Sequence, residues 1–195
     1  MKLHHIALAA IAAATFATQA QAAVFNGATT SGGNTVSEFT LGSDLSFDLN
    51  FLSNGPITLN FTIESADLSG DPMTFSALVR NLTGLGFDNV NLTLSGITFA
   101  NPAGTFTTDG FAAISGSGSS ATQAWATFTP GLTSEFYIGN PLGQAGQLNW
   151  TLNLEGLKAG KQFSVTVAVP EPETYGLAVA GLAALGLAAR RRKAG

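Results

Sequence analysis

Residues 45–63 decide the fold class of this chain, and they read LSFDLNFLSNGPITLNFTI. Apolar and polar residues alternate on both sides of a central Ser-Asn-Gly-Pro segment. Because successive side chains of a strand point to opposite faces, this period of two predicts two half-buried strands joined by a turn. The same alternation returns at residues 73–79, 90–94, 148–154 and 163–169.

Short Gly-, Pro- and Asn-rich segments separate these strands, and the interior of the chain shows no helical period. About eight to ten short strands with such punctuation are typical of a sandwich. We therefore predict an all-β domain over residues 23–168, a two-sheet antiparallel β-sandwich of the jelly-roll or Ig-like kind. The Ser/Gly run at residues 115–120 has no apolar alternation and predicts a flexible loop.

The residue types that are missing restrict the chemistry of this domain. The chain has no cysteine, and both of its histidines, His4 and His5, lie near the start. Beyond residue 22, a Ser-His-Asp triad, a Cys-His pair and an ordinary zinc or copper site are therefore excluded. We expect a protein that is not an enzyme, with no cofactor apart from a candidate calcium ion.

The charge of the domain is strongly negative. Between Ala23 and Val169 there are ten acidic and three basic residues, which gives a net charge of −7. Because this charge repels phosphate backbones, nucleic acid is not an expected partner. Cations and neutral glycans are compatible with it.

Residues 1–22 have the three parts of a secretory signal peptide in order. Lys2 supplies the charged start, and residues 6–16 form a short apolar run. Ala20 and Ala22 then make an A-x-A cleavage site, which places the cut before Ala23.

The other end, residues 169–195, also carries three ordered features. Pro170, Glu171 and Pro172 form a rigid extended segment, and residues 175–189 form an apolar run that predicts a transmembrane helix. A helix of that length spans about 22 Å against roughly 30 Å of hydrocarbon, which suits a temporary anchor. Four basic residues follow and predict a cytoplasmic end, with the domain outside: Arg190, Arg191, Arg192 and Lys193.

These three features resemble the PEP-CTERM sorting signal, a segment type also known as the ice-binding protein C-terminal domain, a label that does not itself imply ice binding. The resemblance implies recognition by an exosortase of a Gram-negative bacterium, with Pro170, Glu171 and Pro172 as the recognition motif and cleavage near them. It further implies a transient inner-membrane anchor, then the cell surface or extracellular matrix. The implied partners are the exosortase, the membrane, and exopolysaccharide or other matrix components of a biofilm.

Two interpretations involve the acidic residues of the domain. Glu64, Asp67 and Asp71 cluster in one loop and could hold calcium through their oxygens, although an acidic solvated turn explains the same pattern. Paired carboxylates could also make a glycosidase, but the spacing singles out no pair. The candidates are Asp44 with Asp48, Glu64 with Asp67, and the separate Glu38 and Glu135.

Three aromatic residues are candidates for stacking on sugar rings. Trp150 lies on the apolar face of its strand, which predicts core packing. Trp125 follows the Ser/Gly run and has alanines on both sides, which predicts exposure. Tyr137 is the third candidate.

A structural or adhesive role in the matrix is the first hypothesis, and a carbohydrate-binding, lectin-like module around Trp125 is the alternative.

Overall fold

The computed structural model describes residues 23–100, 104–132 and 134–170. These residues form thirteen β-strands and no helix, so none of them makes a helix long and apolar enough to cross a membrane. The predicted signal peptide, the helix at 175–189, the basic cluster at 190–193, and Glu171 with Pro172 lie outside the described residues.

The strands form two sheets. The six-stranded sheet has the order β1 (Val24–Thr29), β4 (Ile57–Thr62), β13 (Gln162–Ala168), β6 (Phe87–Ser95), β10 (Gln123–Leu132) and β9 (Ala113–Ser119). The seven-stranded sheet has the order β2 (Thr35–Glu38), β3 (Asp44–Phe51), β5 (Thr74–Asn81), β11 (Glu135–Ile138) and β8 (Phe106–Thr108). Its last two strands are β12 (Trp150–Asn153), which pairs with β5, and β7 (Thr98–Phe99), which pairs with β12.

The core lies between the two sheets and is built from the alternating apolar residues. Phe47 of the seven-stranded sheet meets Phe61 of the six-stranded sheet edge to face, with ring centroids 5.8 Å apart. Phe61 also stacks on Phe163 of the neighbouring strand at 4.9 Å. All three rings are buried, as the period of two requires. The prediction of an all-β, two-sheet fold is confirmed.

One strand pair departs from the predicted antiparallel arrangement. β3 and β5 run parallel, from the pair Asp44 and Thr74 to the pair Phe51 and Asn81. The chain leaves the seven-stranded sheet after β3, forms β4 in the six-stranded sheet, and then returns beside β3. Because parallel neighbours need such a crossover rather than a hairpin, the visit to the opposite sheet produces the parallel pair.

The Ser/Gly run is a strand rather than a flexible loop. Residues 115–119 belong to β9, which forms one edge of the six-stranded sheet and pairs antiparallel with β10. Gly118 lies opposite Trp125, and Gly116 lies opposite Thr127. The loop prediction was wrong because the order of this segment comes from its hydrogen-bonded partner and not from its own side chains.

Candidate functional site

The outer surface of the six-stranded sheet carries almost no charge. Its six strands contain a single charged residue, Asp88. The polar residues that alternate with the buried ones are all uncharged, and we call the surface that they form the neutral face. Its members are Thr58, Asn60, Thr62, Asn89, Asn91, Thr93, Ser95, Gln123, Thr127, Gln162, Ser164 and Thr166.

Trp125 lies on the neutral face and remains 42% exposed, which confirms the expected exposure. Its cross-strand neighbours are Asn91 on one side and Gly118 on the other. A Cβ atom added at Gly118 would lie 2.9 Å from Nε1 and 3.0 Å from two ring carbons of Trp125, and one at Gly116 would lie 3.4 Å from Cζ3. The indole ring therefore rests against two glycines, which leave room for it because they have no side chain.

A second feature of the neutral face is a cavity of about 430 Å³ where β1, β4, β13 and β6 meet. We call this cavity the polar hollow. One charged residue, Lys161, lines it, and the other polar residues of its lining are uncharged: Asn26, Asn60, Ser95, Gln162 and Ser164. Asn26 Nδ2 donates a hydrogen bond to Thr62 Oγ1 at 2.8 Å, and Asn60 Nδ2 donates to the Gly27 carbonyl at 3.3 Å. Sequence reasoning missed this site because four strands, distant along the chain, contribute to it.

The seven-stranded sheet presents a different outer surface, centred on what we call the charged cluster: Asp48, Arg80, Glu135 and Tyr137. Arg80 Nη1 lies 2.8 Å from Asp48 Oδ2, and Arg80 Nε lies 3.8 Å from Glu135 Oε2. The Tyr137 hydroxyl donates to Glu135 Oε1 at 2.6 Å. This hydrogen bond, together with burial and the nearby negative charge, raises the pKa of Tyr137 to about 12.

The other two aromatic candidates are both buried. Tyr137 is only 7% exposed and its hydroxyl is bonded to Glu135, so the interpretation as a sugar-stacking residue is wrong. Trp150 is 2% exposed, which confirms core packing. Its ring lies 5.0 Å from that of Phe99 and 5.1 Å from that of Phe106, and its Nε1 donates to the Thr105 carbonyl at 3.2 Å.

The loop with the three acidic residues gives no support for calcium. Asp67 is nearly buried and its Oδ2 accepts a hydrogen bond from the Glu64 backbone N–H at 2.6 Å, whereas Glu64 and Asp71 are exposed. Burial raises the pKa of Asp67, although this backbone hydrogen bond opposes the shift. Within the described ranges, no three His, Cys, Asp or Glu residues come together in a way that could hold a metal ion. The turn interpretation describes the observed contacts.

The carboxylates considered for glycosidase chemistry mostly have contacts within the fold. Asp44 accepts a hydrogen bond from the Thr74 hydroxyl, and Asp48 and Glu135 belong to the charged cluster. Glu38 lies at the end of β2, opposite Phe47 of β3. Glu135 and Asp109 line one cavity of about 250 Å³, but Arg80 lines it as well. The geometry therefore favours none of the proposed carboxylate pairs.

The comparisons with known proteins concern the tail. Residues 168–193 match the family model of the PEP-CTERM protein-sorting motif, which confirms the resemblance. A search of curated proteins and a search of solved structures found no match. The motif supports sorting by an exosortase and suggests export with membrane-associated sorting in Gram-negative bacteria. The chain is thus a β-sandwich protein with a PEP-CTERM sorting motif, which begins at the last residue of the last strand.

Proposed function

We propose that this protein is exported, held briefly at the inner membrane by its tail, and released by an exosortase into the exopolysaccharide matrix, where its role is structural or adhesive and not enzymatic. The observation that carries this proposal is the position of the sorting motif. The match begins at Ala168, where β13 ends, and the extended Pro-Glu-Pro segment follows at once. A cut near Pro170 would remove none of the thirteen described strands and would leave the sandwich complete.

Two properties of the chain support a non-enzymatic role outside the inner membrane. The domain has no histidine or cysteine, so a Ser-His-Asp triad, a Cys-His pair and an ordinary zinc or copper site cannot be built in it. The basic residues at 190–193 resist translocation and favour an orientation with the preceding domain outside. The domain needs no disulfide there because it buries a continuous Phe-rich core.

Intact-mass analysis tests the sorting proposal most directly. Protein from exosortase-positive cells should begin at Ala23 and end near Pro170, whereas protein from an exosortase deletion strain should keep its C-terminal tail. The variant Glu171→Ala should retain the tail in exosortase-positive cells, and Glu173→Ala, which changes a glutamate just outside the motif, should be processed normally. An intact tail on the wild-type protein in exosortase-positive cells would contradict the proposal.

A second function, binding of carbohydrate, is favoured by the exposure of Trp125 on the neutral face. A tryptophan side chain combines an apolar ring with a polar N–H group. This combination suits sugar rings, which have both apolar and polar parts. Affinity electrophoresis through gels that contain soluble polysaccharides tests this function. Retarded migration in at least one gel is expected, and unchanged migration in all of them would eliminate carbohydrate binding.

A further inference from the structure

We infer that the neutral face is one extended binding site for an uncharged polysaccharide chain, with Trp125 stacking on one sugar unit and the polar hollow binding the hydroxyls of another. This inference rests on the carbohydrate-binding function proposed above and names its site and its ligand class. It depends on three features of the neutral face: the support beneath Trp125, the position of the polar hollow, and the small number of charged residues.

Among the large exposed apolar residues that the structure describes, Trp125 and Val24, the first residue of β1, are the two that lie in a strand. Single exposed apolar side chains are ordinary on protein surfaces, and Phe111, at 83% exposure, lies in the turn between β8 and β9. Trp125 instead lies within a strand, and its ring rests against Gly116 and Gly118 of the edge strand β9. One side of the ring is therefore supported by backbone while much of the ring stays accessible. A preorganised ring of this kind loses little entropy when it stacks on a ligand.

The pairing registers place the polar hollow within reach of the same ligand. Asn91 pairs with both Trp125 and Ala168, and Ser164 lies four residues before Ala168 on the same strand. At about 3.3 Å per residue and about 4.8 Å between strands, Trp125 and Ser164 are separated by about 16 Å on one surface. That is the length of a short oligosaccharide. Thr93 and Thr166, which pair with each other, lie between the two ends.

The side chains of the neutral face match the chemistry of an uncharged glycan. Asn, Gln, Ser and Thr both donate and accept hydrogen bonds, as sugar hydroxyls do. Binding sites for such ligands combine an apolar surface with a few placed polar groups. Of the ten acidic and three basic residues of the domain, Asp88 lies within the six strands and Lys161, directly before β13, lines the polar hollow. The net charge of the domain, −7, repels anionic polymers. We therefore assign neutral polysaccharides, and not uronate-rich or sulfated ones, to this surface.

The first experiment removes or displaces the indole ring in the full chain, purified in detergent. The protein is run through gels that contain laminarin, hydroxyethylcellulose or dextran, and through an alginate gel as the anionic comparison. Trp125→Ala should weaken binding of the retarding polysaccharide at least tenfold. Gly118→Ala should also weaken it, because the new Cβ displaces the ring without changing its chemistry. Phe111→Ala is the matched control, since it removes an exposed aromatic ring outside the neutral face, and it should bind like the wild type.

The second experiment tests the extent of the site with oligosaccharides of the polysaccharide that binds. Gln162→Ala, in the polar hollow, should weaken binding of tetra- and hexasaccharides several-fold and leave disaccharide binding unchanged. Gln144→Ala, which changes an exposed glutamine between β11 and β12, should have no effect on either. Equal losses for short and long ligands would overturn the extended site.

The outcomes separate this inference from the functions on which it rests. Full binding by Trp125→Ala, with an unchanged thermal midpoint, would overturn the assigned site and leave carbohydrate binding in place. Retardation by alginate as strong as that by neutral polysaccharides would overturn the assigned ligand class. No retardation by any polysaccharide would overturn both the site and the carbohydrate-binding function, and the sorting proposal would stand on the tail alone.

Discussion

The strands of both sheets alternate buried and outward-facing residues, but the two outer surfaces differ in charge and in accessibility. On the seven-stranded sheet, Arg80 with its two carboxylate partners lies beside Leu78 and Tyr137, each of which is only 7% exposed. On the neutral face of the six-stranded sheet, no ion pair covers Trp125 within the described residues. One aromatic residue is thus fixed within a charged cluster, and the other is accessible to a ligand. The difference indicates that the first surface contributes to stability and that the second is available for contact.

The largest expected effect separates the two tryptophans. Trp150→Ala should lower the free energy of unfolding by about 3–5 kcal/mol, because it empties a buried site between Phe99 and Phe106. Trp125→Ala should lower the same quantity by no more than about 1 kcal/mol, because the lost ring is 42% exposed and packs on two glycines rather than in the core. Urea unfolding of both variants measures this difference. A comparable loss in both would show that the neutral face stabilises the fold and would remove the contrast between the surfaces.

An intermediate effect is expected from the charged cluster. Arg80→Ala should lower the free energy of unfolding by about 1 kcal/mol, since it removes two partly exposed ion pairs and leaves Asp48 and Glu135 without their cation. Lys158→Ala is the control, because this exposed lysine lies in a turn, and it should cost less than about 0.5 kcal/mol. Urea unfolding at low and high salt measures both. The difference between the two variants in free energy of unfolding should shrink at high salt, where exposed charges are screened. If Arg80→Ala lost no more of this free energy than Lys158→Ala, the stabilising role of the charged cluster would be contradicted.

The period of two in the sequence was sufficient to predict the sandwich. It located β3, β4, β6, β12 and β13, because each of these strands buries one apolar face and leaves its polar face at least partly accessible. It also located β5, although there Ser76 and Leu78 of the second face are buried as well. It could not locate β9, whose Ser and Gly side chains give no alternation and whose order depends on pairing with β10. It also gave no sign of the parallel pair, because strand direction depends on the path of β4 through the opposite sheet.

The candidate site was predictable only in part. The small neighbours of Trp125 indicated its exposure, which is a local property. The support from Gly116 and Gly118 and the burial of Tyr137 depend on adjacent strands, which sequence spacing does not bring together. The burial of Asp67 is likewise a property of the folded turn. The sequence showed three acidic residues in one loop, but not that Asp67 is buried while the other two are exposed.

The last expected effect is a change in titration, and it tests the hydrogen bond between Tyr137 and Glu135 spectroscopically. Glu135→Gln should move the pKa of Tyr137 from about 12 toward its ordinary value of 10.0, because the neutral amide accepts a weaker hydrogen bond and adds no negative charge. A background of Tyr175→Phe leaves Tyr137 as the single tyrosine of the chain, so tyrosinate absorbance reports it alone. Glu38→Gln, which removes a carboxylate from the end of the edge strand β2, is the control and should titrate like the wild type.

The direction of the linked stability change follows from the raised pKa. Because the folded state holds the Tyr137 proton more tightly than the unfolded state, this group stabilises the wild type fully below pH 10, and that contribution is lost as the pH rises toward 12. Glu135→Gln should therefore show little loss from this group over the same interval. A titration of Glu135→Gln that coincides with the wild type would mean that the hydrogen bond to Glu135 does not hold the Tyr137 proton, and the charged surface would then lose the interaction that fixes its aromatic residue.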